Sequence, residues 1–227
     1  MDNLKLFKQI AKPEYEDANS YWSTFLKLKH VDPNHLNTLA SYERALNSLD
    51  SHSWALLRPR AIRLSTKLDS IGRYKEFFEL LNEVKGYAYL KGLGCENVAF
   101  IPTSSERNTK TPDLFAVKHG EQYLCEVKTK NTSNDYEQKV RDSRVIRTGS
   151  ELSEQLLESV NATIAKAYQQ LSTYSSSHHI KIIYLCINYD NEGVDYRLRN
   201  KYNCQIQKSF EDMGLKDVIL QIDDFCL

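Results

Sequence analysis

Apolar side chains recur at three- and four-residue spacing through the first seventy residues, with no sustained alternation, and this predicts helices. Asp32-Pro33 marks the start of one of them, "DPNHLNTLASYERALNSL". An Asp side chain accepts first-turn amide hydrogens, and proline fits the first helical position. Pro59, in "SWALLRPRAIRLSTKL", predicts a kink or a split in the next helix. From "GRYKEFFELLNEVKGYAYLKGLG" the pattern changes: a long helix ends at Gly92 and Gly94 and gives way to the β-like runs "NVAFIPT", "DLFAVKH" and "EQYLCEVKTK". The polar, basic connection "NTSNDYEQKVRDSRVIRTGS" then precedes a helix from about Glu151 to Tyr174 with Leu152, Leu156, Val160, Ile164 and Ala167 along one face. "HIKIIYLCINYD", almost continuously apolar, reads as a strand covered on both sides, and "DVILQID" as a last short strand. The expected class is α/β (α+β), with residues 1–70 a helical extension or small helical domain and residues 71–227 the domain that carries the sheet.

Composition narrows the functional classes only slightly. The chain has 227 residues, 41% hydrophobic and 26% charged, with eight glycines and five prolines, as expected of a folded protein with a real core. Thirty basic residues balance thirty acidic ones, so an electrostatic footprint for a nucleic acid must be local. The five cysteines form no CxxC pair and suggest a reducing compartment, with Cys125 and Cys186 acting as small hydrophobes inside strands. No apolar run has the length of a membrane span, and the polar start has no signal-peptide apolar region; the expectation is a cytoplasmic protein, or one located with nucleic acid in its cell, neither secreted nor in a membrane. HxxxH, GxxxxGK[ST] and GxSxG are all missing from the sequence.

The stretch "TPDLFAVKHGEQYLCEVKTK" carries the candidate chemistry. If His119-Gly120 is a two-residue turn, Lys118 faces Glu121 and the register runs back to Leu114 opposite Cys125, so that Asp113 lands opposite Glu126. Lys128 shares the face of Glu126 because strand side chains alternate. Such a trio could be a solvated surface cluster worth little. Apolar residues on both faces of the hairpin instead predict a place inside a sheet, where paired carboxylates raise one another's pKa unless a cation neutralises them. Mg²⁺ suits this demand, since it takes oxygen ligands and is often held by one or two carboxylates.

Pro112-Asp113, twelve intervening residues and Glu126-Val127-Lys128 together resemble the PD-(D/E)XK signature of the restriction-endonuclease-like nuclease superfamily. The resemblance implies an αβββαβ core with a mixed central sheet, and the predicted order matches it from about Tyr74 to Asp190. Glu83 best matches that family's acid on the first core helix, ahead of Glu76 and Glu79, because it interrupts an apolar stripe with Leu80, Tyr87 and Leu90. Gln170 and Tyr174, with Lys166 a turn earlier, resemble the QxxxY element of exonuclease-like branches.

By that resemblance Asp113 and Glu126 bind Mg²⁺ (or Mn²⁺), with the backbone carbonyl of Val127 and with Glu83 as further ligands, and Lys128 is the catalytic ammonium. The implied activity is metal-dependent endo- or exonucleolytic hydrolysis of phosphodiester bonds, with DNA favoured over RNA. Lys130, Lys139, Arg141, Arg144 and Arg147 would meet backbone phosphates. The alternatives are a catalytically inactive nuclease-fold module that binds nucleic acid or assembles proteins, and an interaction module dominated by the helical segment, which could pair with a second copy or another protein.

Overall fold

A computed structural model describes residues 5–11, 21, 33–69, 74–102, 110–130, 151–174, 178–188 and 196–225. The chain is α/β and falls into two compact units, Met1–Phe100 and Ile101–Leu227. The first contains α1 (Lys5–Ala11), α2 (Pro33–Leu46), α3 (Ser51–Leu64), α4 (Lys75–Gly92) and β1 (Glu96–Phe100). The second contains β2 (Leu114–Lys118), β3 (Glu121–Lys130), α5 (Glu154–Tyr174), β4 (His179–Asn188), α6 (Tyr196–Asp212) and β5 (Val218–Phe225). Among the described residues, no helix is long and apolar enough to cross a membrane.

In the first unit a single core is built from Phe7, Ile10, Leu39, Tyr42, Leu57 and Ala61 together with Phe77, Phe78, Leu80, Leu81 and Val84 of α4. This is why α4 packs with the helices before it. Its polar groups are satisfied internally. Glu43, buried on α2, accepts from the backbone N–H groups of Leu6 and Phe7 at 2.8 and 3.0 Å, meeting first-turn donors of α1 that have no partner within their own helix. Tyr42 donates its hydroxyl to Asn82 at 2.8 Å, and Asp50 caps α3 by accepting from Ser53 N at 2.7 Å. The split expected at Pro59 does not occur: α3 runs through it from Ser51 to Leu64. The buried face of that helix, Ser53, Leu57, Ala61 and Leu64, lies on both sides of the proline, so packing holds a helix that proline alone would weaken. The helix predicted from Asp32-Pro33 does begin at Pro33; Asp32 lies outside the described residues.

The sheet of the second unit is mixed. β2 pairs antiparallel with β3, while β3–β4 and β4–β5 are parallel. Parallel pairing requires crossovers, and α5 and α6 supply them. Val160, Ile164, Ala167 and Leu171 of α5 and Tyr202, Ile206 and Phe210 of α6 bury against Leu124, Ile183, Leu185, Ile187, Val218 and Leu220. The two helices are tied by Asn161 and Ser209 at 2.8 Å, and Leu152 N, just before α5, donates to Gln205 of α6 at 3.0 Å. α6 is absent from the sequence-based order; only Tyr202, Ile206 and Phe210, four residues apart, mark its buried side in an otherwise polar segment.

The β2–β3 hairpin has the expected register, Leu114–Cys125 through Lys118–Glu121. His119 and Gly120 both have positive φ, 52° and 82°, the backbone of a two-residue turn whose twist matches the strands. An added Cβ at Gly120 would meet no neighbouring atom, so its cost is purely conformational. We therefore expect Gly120→Ala to lower stability by about 1 kcal/mol, read as a shifted denaturant midpoint at constant slope. An unshifted midpoint would contradict the turn assignment.

Candidate active site

Asp113 stands one residue before β2 and Glu126 one residue after Cys125, so continuing the register past Leu114–Cys125 sets the two acids opposite one another. Two side-chain bonds fix them. Asp113 Oδ2 accepts from Val127 N at 2.7 Å, which pins the first carboxylate onto the neighbouring strand. Gln170 Nε2, from α5, donates to Glu126 Oε2 at 2.9 Å and to the Thr111 carbonyl at 2.7 Å. Both neighbours of that amide nitrogen are acceptors, which requires the NH₂ end to face them. Gln170 thus clamps the carboxylate of β3 to the chain just before β2.

Glu126 is 1% exposed and forms an ion pair with Lys128, whose side chain is 28% exposed. Opposing influences act on this carboxyl group. Burial raises its pKa most, Asp113 raises it further by charge and by a side-chain hydrogen bond, and Lys128 pulls it down. The raising influences win, and the group is pushed up to about 8. Because the acids are in contact, this titration belongs to the pair. The same negative surroundings act on Cys125: burial pushes its thiol well up, and Asp113 and Glu126 add to the shift. Cys125 therefore remains a protonated, buried thiol without nucleophilic character.

The other expected site residues occupy distinct places. Glu83, on α4, has both oxygens on the guanidinium of Arg60, at 3.1 and 3.2 Å, and its side chain is 17% exposed. Glu76 pairs with Lys67 and Glu79 with Lys75, both at exposed positions. Gln170 joins the acids, Lys166 is exposed on α5, and Tyr174 is exposed at the end of that helix. Lys130 donates to Ser159 of α5. Lys139, Arg141, Arg144 and Arg147 lie outside the described residues. The sequence reading missed Ser159 and the Thr111 carbonyl. Ser159 was visible in principle, since it lies on one helical stripe with Lys166 and Gln170; a backbone acceptor has no sequence signal.

As a cation site, the donor set consists of two hard carboxylates converging at one point, with the Val127 carbonyl adjacent in sequence. That chemistry fits Mg²⁺ or Mn²⁺, because a divalent ion relieves the like-charge penalty that Lys128 only partly offsets. Among the described residues, no group of three or more His, Cys, Asp or Glu side chains is arranged to hold a metal, so the fit rests on Asp113 and Glu126.

Glu126 also sets a pH dependence. Its folded-state pKa exceeds its ordinary value of 4.5, so between pH 4.5 and about 8 the folded chain binds more protons than the unfolded one and stability falls as pH rises. The expected loss is of the order of a few kcal/mol in the absence of divalent ions. Glu126→Gln, which mimics the protonated acid, should flatten the curve in that window in urea melts at stepped pH. An equally steep fall in the variant would assign the titration elsewhere.

No protein-family model, curated protein or solved structure matches the chain.

Proposed function

We propose that the chain is a metal-dependent nuclease that hydrolyses phosphodiester bonds, with DNA favoured over RNA, on a core of the restriction-endonuclease-like kind. The observation that carries this reading is the geometry of the buried Glu126 carboxyl, set opposite Asp113 by the hairpin register, held by Gln170 and in contact with Lys128. A purely structural pair would gain by losing one acid, whereas a metal site needs both. The element order α4-β1-β2-β3-α5-β4 supports this reading, as does the position of Asp113 just before β2 with Glu126 and Lys128 on β3.

Asp113 and Glu126, with the Val127 carbonyl, would hold Mg²⁺ or Mn²⁺; the bound ion would acidify a water and neutralise charge on the phosphate. The protein's own groups prepare that chemistry. Val127 N fixes Asp113, and Gln170 fixes the orientation of Glu126, so little rearrangement is needed for both to bind. Lys128 has three N–H donors, of which the bond to Glu126 uses one, leaving donors for a phosphate oxygen or an attacking water. Glu83 is engaged by Arg60 within the first unit.

That ion pair of Glu83 favours a second reading, a nuclease-fold module that binds nucleic acid without cutting it. The deciding experiment incubates the purified chain with Mg²⁺ or Mn²⁺ and a panel of single-stranded, double-stranded and branched DNA and RNA. Cleavage is expected, to fall about a hundredfold or more in Asp113→Ala, Glu126→Ala and Lys128→Ala while the variants stay folded. Cleavage that survives excess chelator would sink the metal mechanism, and binding without cleavage would support the second reading.

A further inference from the structure

Glu126, Lys128 and Lys130 alternate onto one face of β3, so they form a row about 13 Å long with a step of about 6.6 Å. Facing them, Ser159, Thr163, Lys166 and Gln170 form a polar stripe along α5, beside the apolar stripe Val160, Ile164, Ala167 and Leu171 that enters the core. The two rows meet at both ends. Gln170 reaches Glu126, and eleven residues earlier, about 16 Å along the helix, Ser159 accepts from Lys130. Strand and helix therefore run in opposite directions along the row. The carboxylates close one end, and beyond Glu126 these two rows carry only Lys128, Lys130, Lys166 and the hydroxyls of Ser159 and Thr163.

Thr163 donates its hydroxyl to the Ser159 carbonyl at 2.9 Å and so faces its own helix, which leaves Lys130, Lys166 and Ser159 as the ligand-facing groups beyond Lys128. Lys130 and Lys166 repel each other: burial lowers the Lys130 pKa and Lys166 lowers it further. Two ammonium groups held against each other are relieved by an anion placed between them. Ser159 holds Lys130 on the helix side, where Lys166 also lies.

We propose that Lys130, Lys166 and Ser159 form a subsite for a backbone phosphate next to the scissile one, so that the nucleic-acid strand follows β3 from the Asp113–Glu126 pair toward Lys130. This rests on the nuclease reading for which phosphate is cut, but the subsite itself is a claim about binding. The step from Lys128 to Lys130 is comparable with that between successive phosphates, which lets one lysine serve the reacting phosphate and the other its neighbour. The contacts are to phosphate, so they orient the strand without reading bases.

The test measures binding in chelator, where no cutting occurs, with a fluorescently labelled single-stranded DNA 20-mer and its duplex over a salt series. Lys130→Gln and Lys166→Gln are each expected to weaken binding several-fold and to reduce the slope of log K against log salt by about 1, with Ser159→Ala intermediate. Lys208→Ala, an exposed lysine on α6, serves as the charge-matched control. Lys166 is exposed on a helix, so its substitution keeps the fold even if Lys130→Gln does not. Oligonucleotides carrying one neutral methylphosphonate at successive positions should include a position that weakens wild type but is silent in the Lys166→Gln variant. Unchanged slopes in both lysine variants, or changes equal to those of Lys208→Ala, would overturn the subsite. Normal slope changes without any Mg²⁺-dependent cleavage by wild type would leave the subsite standing and overturn the nuclease reading.

Discussion

A carboxyl group sealed between a sheet and a helix, with a second carboxyl directly opposite, is the constraint around which the second unit is arranged. Two ionised carboxylates in contact would repel by roughly 4 kcal/mol at an effective dielectric of 20, and Glu126 therefore keeps its proton well above the usual carboxylate range. Lys128 offsets part of this, but an ion pair this buried gives back in desolvation most of what it gains in attraction. The hairpin register and Gln170 hold the acids together regardless. Such an arrangement is costly as scaffolding, and that cost is the ground for the proposed divalent-cation site.

The first unit is built on different physics. Its core is aromatic and aliphatic, with Tyr21, Tyr42, Phe77 and Phe78 packed edge-on or tilted, ring centroids 5.3 to 5.9 Å apart. Polar groups there hold helices: buried Glu43 meets α1, buried Asn82 accepts from Tyr42, and exposed Asp50 caps α3. Glu83 follows the same rule, since its carboxylate is already matched by a guanidinium. Within one chain, acids thus serve two ends, and their partners distinguish them: backbone amides and arginine satisfy the ionised form, while a second acid favours the protonated one.

What could be read from sequence followed how local the determining interactions are. The register of β2 and β3 was legible because it is set by His119-Gly120, inside the hairpin itself. Gln170 was legible only as half of a pattern, and its bonds to Glu126 and Thr111 depend on how α5 packs. The pairing of Glu83 with Arg60 spans 23 residues and two helices, with no local signal. α6 stayed hidden because its buried side amounts to Tyr202, Ile206 and Phe210 among charged and amide residues. At Pro59 the helix is not split, because buried residues on both sides of the proline hold it to the core.

The central claim is that Asp113 and Glu126 are kept together to hold a divalent cation, and calorimetric titration of the purified chain with Mn²⁺ or Mg²⁺ tests it most directly. The account predicts saturable binding near one ion per chain, weakened about tenfold or more in Asp113→Asn and in Gln170→Ala. Absence of binding by the wild-type chain, or equal affinity in Asp113→Asn, would contradict it.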